Sequence, residues 1–149
     1  MRQIDISTKK YPNTFTLVDD DLFDYLSQWK WRRNTFGHVV RGNGSKIMMH
    51  RVVNLTPDGL FTDHIDRNPL NNQRVNLRSC TNAQNQWNTP HTGVGWHKHN
   101  VRWRARIKVN GKNISLGYFK AKSDALEAYR IAKIKLHKEW VGAVDNNPK

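Results

Sequence analysis

Residues 102–109 read RWRARIKV, and their strict alternation is the feature that most limits what this chain can fold into. Neighbouring side chains of a β-strand point to opposite faces, so the alternation predicts a strand with one cationic and one apolar face. The dipeptide Asn110-Gly111 then predicts a tight hairpin turn, with a returning strand over 113–119. Ser123 and the acid after it predict a helix that runs to about Glu139. Its apolar stripe comprises Ala125, Ala128, Tyr129, Ala132 and Leu136.

The excess of positive charge indicates the class of partner. The chain has 25 Lys and Arg against 12 Asp and Glu, and residues 91–149 hold 13 of the cations but only 4 of the acids. A strongly basic surface attracts polyanions, with nucleic acid first and anionic membrane second. No apolar run reaches the ~18 residues of a membrane span, and the N-terminus lacks a secretory signal. We therefore expect a cytoplasmic protein that is not secreted.

The cationic face gains little unless a partner neutralises it. Four like charges at alternate positions repel each other, whereas phosphates that pair with them release condensed counterions. A β-sheet can also enter the major groove, where arginine pairs with guanine edges. A merely solvated basic strand is the alternative, and His91, His97 and His99 are expected to face DNA or solvent. The predicted DNA-binding residues are Trp96, Lys98, Arg102, Arg104, Arg106, Lys108 and Lys112.

Residues 93–140 as a whole resemble the apetala/ethylene-response-factor (ERF) DNA-binding domain, in the form found in phage and bacterial proteins. The resemblance implies a three-stranded sheet, backed by one helix, that reads the major groove through arginines and tryptophans. One departure is Lys138-Glu139-Trp140, where the family often ends its helix at glycine. The residues that carry the resemblance are Gly93-Val94, Trp96, Arg102-Trp103-Arg104-Ala105, Leu116-Gly117-Tyr118-Phe119, Ala125, Ala128-Tyr129 and Ala132.

The N-terminal part of the chain has shorter predicted elements. Residues 14–26 predict a strand followed by an acid-rich helical turn, and residues 29–47 predict a β-hairpin or meander. Residues 46–53 fit either a strand or a short helix. The single cysteine, Cys80, excludes an internal disulfide and a multi-cysteine zinc site, and we expect it to be a small buried residue.

A strand–loop–strand–helix pattern follows the turn that Pro57-Asp58-Gly59 predicts. We expect a strand over 60–65, a polar loop over 66–75 and a brief second strand at Leu77-Arg78. Thr81 and the glutamine three residues later have capping-box spacing, so a short helix is expected over 82–88.

Asp63, His64 and Asn85 have the side chains that phosphodiester hydrolysis needs. A strand carboxylate and a helix amide can both offer oxygen to one hard divalent cation. A neighbouring neutral imidazole can take a proton from an attacking water, while the cation stabilises the charge that develops on the phosphate. An Asp-His pair also occurs by chance, and asparagines favour turns and caps without any chemistry.

The stretch from Asp63 to Asn88, DHIDRNPLNNQRVNLRSCTNAQNQWN, resembles the HNH endonuclease family, in the homing-endonuclease branch with a ββα-metal core. The resemblance implies that Asp63 and Asn85 bind the metal and that His64 is the general base. It implies that Asn76 mainly fixes the loop and orients the histidine. The other asparagines, including Asn68, Asn71 and Asn72, are expected to hold the loop.

Upstream residues extend this resemblance to about residues 15–90. Residues 49–53, MHRVV, match a segment of the family, and residues 19–31 resemble its usual lead-in. His50 is therefore a further catalytic candidate; contact with the scissile region, support of the other site residues and a structural role stay open. One departure is Asn71-Asn72-Gln73, where the family often has Asp-Asn-Arg.

The sequence thus predicts an α+β protein with two domains. Residues 1–90 are expected to be the nuclease domain, with a small β-rich lead-in and a ββα-metal core, and residues 91–149 the ERF-like domain, a three-stranded antiparallel sheet packed on one helix. The predicted function is site-specific cleavage of double-stranded DNA, as a nick or a cut, with Mg²⁺ or Mn²⁺, by a phage homing endonuclease. We expect no zinc, no membrane and no obligatory protein partner. The alternatives are a non-enzymatic DNA-binding regulator with a decayed nuclease half, and an RNA-binding protein that uses the same basic face.

Overall fold

The computed structural model describes residues 1–43, 46–89 and 93–137 of the chain. The chain divides into two compact units, Met1–Asn85 and Gln86–Lys149. Helices and antiparallel sheets are both present, which confirms the predicted α+β class. Among the described residues, no helix is long and apolar enough to cross a membrane. The predicted domain boundary at residue 90, together with His91 and the last residues of the predicted final helix, lies outside the described residues.

Fourteen α-helices and β-strands follow one another along these residues, with one short 3-10 helix at Arg74–Asn76 between β6 and β7. The first seven are β1 (Arg2–Asp5), β2 (Phe15–Val18), α1 (Asp20–Ser27), β3 (Arg32–Arg33), β4 (Val39–Arg41), β5 (Ile47–Met48) and α2 (Met49–Asn54). The next three are β6 (Phe61–His64), β7 (Leu77–Cys80) and α3 (Asn82–Trp87). The last four are β8 (Val94–His97), β9 (Arg102–Val109), β10 (Lys112–Phe119) and α4 (Lys122–His137).

The first unit packs several small sheets around one apolar core. β1 and β2 pair antiparallel, and β3, β4 and β5 form the antiparallel meander that the sequence predicted. Residues 46–53 supply both of the expected alternatives, because β5 runs directly into α2. The side chains that these elements bury are Ile4, Ile6, Val18, Leu26, Trp31, Val39, Met49, Val53 and Leu77. Each large apolar side chain buried in this way contributes about 1.5–3 kcal/mol to stability.

The strand–strand–helix order predicted for residues 60–88 is confirmed. The turn before β6 closes through Gly59, whose φ of +81° favours glycine, and through a 3.2 Å hydrogen bond from Leu60 N–H to Pro57 O. At the start of α3, the Thr81 N–H donates to the Gln84 side chain over 2.8 Å, and the Gln84 N–H donates to the Thr81 hydroxyl over 3.3 Å. This reciprocal pair is the capping box that the spacing predicted.

The loop between β6 and β7 is attached to the N-terminal lead-in by backbone hydrogen bonds. Leu17 N–H donates to Leu70 O over 2.8 Å, and Asn72 N–H donates to Leu17 O over 2.9 Å. The Asp19 carboxylate accepts a 2.8 Å hydrogen bond from Arg74 N–H. Because β2 and the start of α1 provide these partners, the lead-in fixes the position of a loop more than fifty residues later in the chain.

The second unit is a three-stranded antiparallel sheet, in the order β10–β9–β8, with α4 packed on it. The predicted strand over 102–109 and the hairpin at Asn110-Gly111 are confirmed, with β9 and β10 paired along their length. Ala105 and Ile107 are buried on the apolar face of β9. The alternation in the sequence therefore separates a buried face from a cationic one.

The predicted apolar stripe of α4 is wrong at Leu136, which is 38% exposed. Lys133 and His137 are buried in its place. The His137 ring stacks on Trp87 at 4.4 Å between centroids, and the Lys133 ammonium donates to Thr89 O over 3.3 Å. The segment before β8 covers this side of the helix, and a stripe of apolar residues in the sequence cannot reveal such a partner.

Candidate active site and nucleic-acid interface

Asp63 is held by an arginine on the neighbouring strand. Arg78 stands directly opposite Asp63 in the β6–β7 pair, and its Nε and Nη2 lie 2.9 and 2.8 Å from Asp63 Oδ2. The Asp63 side chain is only 6% exposed. A buried carboxylate is costly unless a cation and hydrogen bonds compensate for its lost hydration. Arg78 therefore orients the carboxylate and balances its charge.

His64 follows on the same strand and contacts the fully buried Asn72. The Asn72 Nδ2 donates to Pro69 O over 3.2 Å and to Thr16 Oγ1 over 2.8 Å. Because a carbonyl only accepts, these bonds fix the orientation of the amide and turn its oxygen towards His64. Asn72 Oδ1 lies 3.4 Å from His64 Nε2, so we assign the proton of neutral His64 to Nε2. The lone pair that can accept a proton is then on Nδ1.

Three imidazoles meet in this part of the fold. The rings of His38, His50 and His64 lie 5.0 to 5.8 Å from one another, centroid to centroid. Burial lowers the pKa of all three below the usual 6.5. For His50 the pKa falls to about 3, because burial acts together with the positive charges of the other two rings and of Arg51. For His64 the Asn72 hydrogen bond opposes the effect of burial on the pKa. Neutral imidazole is the state that a general base needs.

Asn76 holds the two ends of the β6–β7 loop together. Its amide oxygen accepts a 3.0 Å hydrogen bond from Asp66 N–H, and its Nδ2 donates to Asp66 Oδ1 over 2.8 Å and to Asn71 O over 2.9 Å. Its backbone carbonyl accepts from Ile65 N–H over 2.9 Å. The side-chain amide that contacts the ring of His64 belongs to Asn72. The role of Asn76 in these contacts is to fix the loop.

Asn85 lies half-buried on α3, the helix that follows β7. Together with Asp63 it offers one carboxylate and one amide oxygen, which are hard donors of the kind that Mg²⁺ and Mn²⁺ prefer. The donor chemistry of these two residues therefore fits a hard divalent cation with further positions for water and a phosphate.

The structure brings together more residues than the sequence predicted. The predicted His50 and His64 do meet, but His38, Asn72 and Arg78 join them without having been predicted as site residues. Asn72 and Arg78 lie inside the stretch that resembles the HNH endonuclease family. Only their burial and their hydrogen-bond partners distinguish them from other loop and strand residues. His38 precedes β4, and nothing in its spacing along the chain relates it to the other two histidines.

In the second unit, the strand register sorts the predicted DNA-binding residues by face. His97 stands opposite Arg102, and Trp96 stands opposite Trp103. Directly opposed residues of an antiparallel pair share a face, so His97 lies with the cations and Trp96 with the apolar residues. Trp96 also packs edge-on against Trp103, at 5.4 Å between ring centroids. The register thus separates Trp96 from the four cations of β9.

Strand β10 adds polar groups to the cationic face. The face consists of His97 on β8, the four cations Arg102, Arg104, Arg106 and Lys108 on β9, and their partners Tyr118, Ser115 and Asn113 on β10. We call these residues the cationic face. Of the other predicted contacts, Lys98 is exposed in the turn after β8, and Lys112 stands opposite Val109, on the side of the apolar residues.

Comparison with known proteins finds a family that part of the first unit resembles. Residues 55–87 match the family model described as HNH endonuclease, and the match contains β6, β7 and α3. This part of the chain is therefore similar to HNH endonuclease domains, which supports a nuclease. The match ends at residue 87, so the resemblance of residues 93–140 to ERF-like domains stays a prediction.

Two curated relatives extend the comparison. Over 139 residues the chain is 27% identical to an uncharacterized HNH endonuclease of Acanthamoeba polyphaga mimivirus, which covers 85% of this chain and 73% of that protein. A stretch of 64 residues is 39% identical to Protein 3.8 of Escherichia phage T7. This alignment covers 38% of this chain and 53% of that protein. No solved structure matches the chain significantly.

Proposed function

We propose that this protein is a metal-dependent endonuclease that hydrolyses phosphodiester bonds of double-stranded DNA. The observation that carries the proposal is the buried Asp63-His64 pair on β6, inside the stretch that matches the HNH endonuclease family. A buried, neutral histidine next to a buried carboxylate needs a reason, and proton transfer at a phosphate supplies one. The mimivirus relative, which is named an HNH endonuclease, supports the same class of activity.

His64 is the general base in this proposal. With its Nε2 bonded to Asn72, Nδ1 takes the proton from the attacking water. Asn72 keeps the ring in that tautomer and orientation, and Thr16 in turn holds Asn72. Asn76 keeps the loop closed beneath them. His50 packs edge-on against His64 and excludes water from one side of the ring, which is a supporting role.

Asp63 and Asn85 are the residues that would hold the divalent cation. When bound, Mg²⁺ or Mn²⁺ supplies Lewis-acid stabilisation of the charge on the phosphate and on the leaving oxygen. Arg78 holds the buried Asp63 carboxylate in one orientation through two contacts to Oδ2. The oxygen donors of this pair include no soft ligand, which favours Mg²⁺ or Mn²⁺ over zinc here.

The cationic face is the proposed DNA-binding surface. Arg102, Arg106 and Lys108 are exposed, so their charges are available to phosphates, and Arg104 lies half-buried among them. Tyr118 and His97, whose rings are 5.2 Å apart, add groups that can donate hydrogen bonds to base edges. Because the two units share one chain, DNA binding by the second raises the local concentration of the nuclease at DNA. Site specificity and a homing role of phage type belong to this proposal.

Removal of metal tests the catalytic proposal directly. Purified full-length protein, with Mg²⁺ or Mn²⁺, is expected to convert supercoiled plasmid to the nicked or linear form, and EDTA should stop the reaction. Sequencing of the ends tests site selection, because a reader of the major groove gives recurring cleavage positions. Plasmid conversion that is unchanged by EDTA would contradict the metal-dependent mechanism. A complete lack of cleavage with intact DNA binding would favour the decayed-nuclease alternative.

A further inference from the structure

His38, His50 and His64 bring three imidazole rings together in a group that could hold a metal ion. One ring nitrogen from each of His38, His50 and His64 lies within 4.8 Å of the other two. The Nδ1 atoms of His38 and His50 are buried and have no hydrogen-bond partner. A buried polar nitrogen without a partner is unfavourable, because it has lost its hydration and makes no hydrogen bond in return. Two such atoms, on rings that both neighbour the ring of His64, need an explanation that general-base chemistry at His64 does not provide.

We infer that His38, His50 and His64 form a second metal site, selective for a borderline ion such as Zn²⁺, and that its occupation switches the nuclease off. The inhibitory part rests on the proposed function, because it assumes that His64 is the base. The binding part does not depend on it. Three imidazoles with one open position are a common donor set for zinc, whereas Mg²⁺ prefers carboxylates, carbonyls and water.

The geometry needs only a small contraction to bind an ion. Zinc–nitrogen bonds of about 2.1 Å in a tetrahedral site place the nitrogens about 3.4 Å apart. From a separation of at most 4.8 Å, each ring nitrogen would move towards the centre by about 0.8 Å or less. The carboxylates of Asp66 and Asp63 favour positive charge at His64, while Arg51 opposes it at His50. The partial burial of His38 leaves one side of the cluster nearer to solvent.

Inhibition follows from the single lone pair of neutral imidazole. If one nitrogen of His64 binds an ion, the other nitrogen carries the proton, whichever tautomer is formed. The ring then has no lone pair for a proton from water. Mg²⁺ at Asp63 and Asn85 would not relieve the block, because the hard ion does not compete for nitrogen ligands. The same protein would thus be active with magnesium alone and inactive when zinc is also bound.

Metal binding is tested first, on the full-length protein with Co²⁺ as the visible probe and Zn²⁺ as its competitor. We expect one equivalent to bind, and His38→Gln to weaken binding at least about tenfold, because loss of a direct ligand exceeds the 10–100-fold effect typical of outer partners. His38→Phe keeps a ring of similar size as a second variant. The double variant His97→Gln/His99→Gln is the matched control, and it should bind the probe as the unmodified protein does.

Plasmid nicking in Mg²⁺ with added Zn²⁺ tests the regulatory part. Zinc should inhibit the unmodified protein, whereas the magnesium-dependent activity of His38→Gln, measured with and without zinc, should tolerate zinc at least about tenfold better. Binding that is absent, or unchanged in both His38 variants, overturns the site. Binding without inhibition, or activation by zinc, overturns the switch. If no variant cleaves DNA under any condition, the proposed function fails and the cobalt measurement still decides the metal site.

Discussion

Asn72 is the residue whose surroundings say most about how this site works. It is fully buried, it bonds to β2 through Thr16, and its oxygen contacts the ring of His64. A buried amide is favourable only where its hydrogen bonds are made, and here they connect the lead-in to the proposed base. From the sequence we predicted only that Asn72 holds the loop. Its contact with His64 depends on the fold, which places Thr16 next to the Asn72 amide.

Asn72→Ala should reduce the rate of DNA cleavage at least about tenfold while DNA binding is unchanged, because His64 loses the partner that sets its tautomer. The acid limb of the pH–rate profile should also move to lower pH, since this hydrogen bond raises the pKa of His64. The measurement is single-turnover plasmid nicking across a range of pH.

Thr16→Val is the matched control for Asn72→Ala. It removes hydrogen bonds from the same buried group and should cost similar stability, about 1–3 kcal/mol. The remaining hydrogen bond from Asn72 Nδ2 to Pro69 O should keep the Asn72 oxygen at His64. Equal loss of activity in both variants, with no change in pH profile, would show that Asn72 is only structural.

His50 predicts how stability depends on pH. Its pKa in the folded protein is about 3, against 6.5 for an ordinary histidine, so below pH 6.5 the unfolded chain takes up a proton that the folded chain excludes. Above pH 6.5 His50 is neutral in both the folded and the unfolded chain, so its environment costs no stability there. On acidification the unfolded chain is favoured, and the free energy of unfolding decreases. Between pH 6.5 and about pH 5 the free energy of unfolding should fall by about 2 kcal/mol on account of His50.

Urea unfolding in EDTA, followed by fluorescence and circular dichroism, measures this dependence. His50→Gln should flatten it, and His99→Gln, a change in an exposed turn, should leave it as it is. The same slope in His50→Gln and in the unmodified protein would contradict the depressed pKa.

At the scale of elements, local patterns in the sequence predicted most of what the chain forms. The alternation over 102–109, the Asn110-Gly111 turn and the Thr81 capping box each depend on neighbouring residues, and each is confirmed. The face of Trp96, the buried side of α4 and the histidine cluster depend on partners distant in the chain. Register and packing decide them, and a single sequence contains no direct signal for either.

The pairing of β8 with β9 depends on the small size of Gly93, the residue just before β8. A Cβ at this position would lie 1.7 Å from the carbonyl oxygen of Arg106, whose N–H donates to Gly93 O over 2.9 Å. Gly93→Ala should therefore separate β8 from β9 and destabilise the second unit by about 1–3 kcal/mol. Hydrogen exchange should show faster exchange in β9 and α4 but not in β6 and β7.

Gly95→Ala is the control for this change, because a Cβ there meets no atom within 4 Å. It should leave exchange in the second unit nearly as in the unmodified protein. If Gly93→Ala had no larger effect than Gly95→Ala, the close approach of these backbones would not matter for stability.

For the whole molecule, the charge distribution and the match of residues 55–87 to the HNH endonuclease family support different functions for the two units. The second unit carries the cationic face, and the first unit carries the buried Asp63-His64 pair. The logarithm of the DNA-binding constant falls linearly with the logarithm of the salt concentration, and the slope is about 0.9 for each phosphate neutralised. Loss of catalysis should therefore be separable from loss of binding, and only changes to the cationic face should alter the salt slope.

The most direct measurement compares binding and nicking of one plasmid by a small set of full-length proteins. His64→Ala should lower nicking by about 10²–10⁴-fold and leave affinity unchanged. Arg104→Ala should weaken binding and reduce the salt slope by about 1, whereas Arg130→Ala, a change on α4 away from the sheet, should do neither. The account is contradicted if His64→Ala nicks DNA at the unmodified rate, or if Arg104→Ala binds DNA no differently from Arg130→Ala.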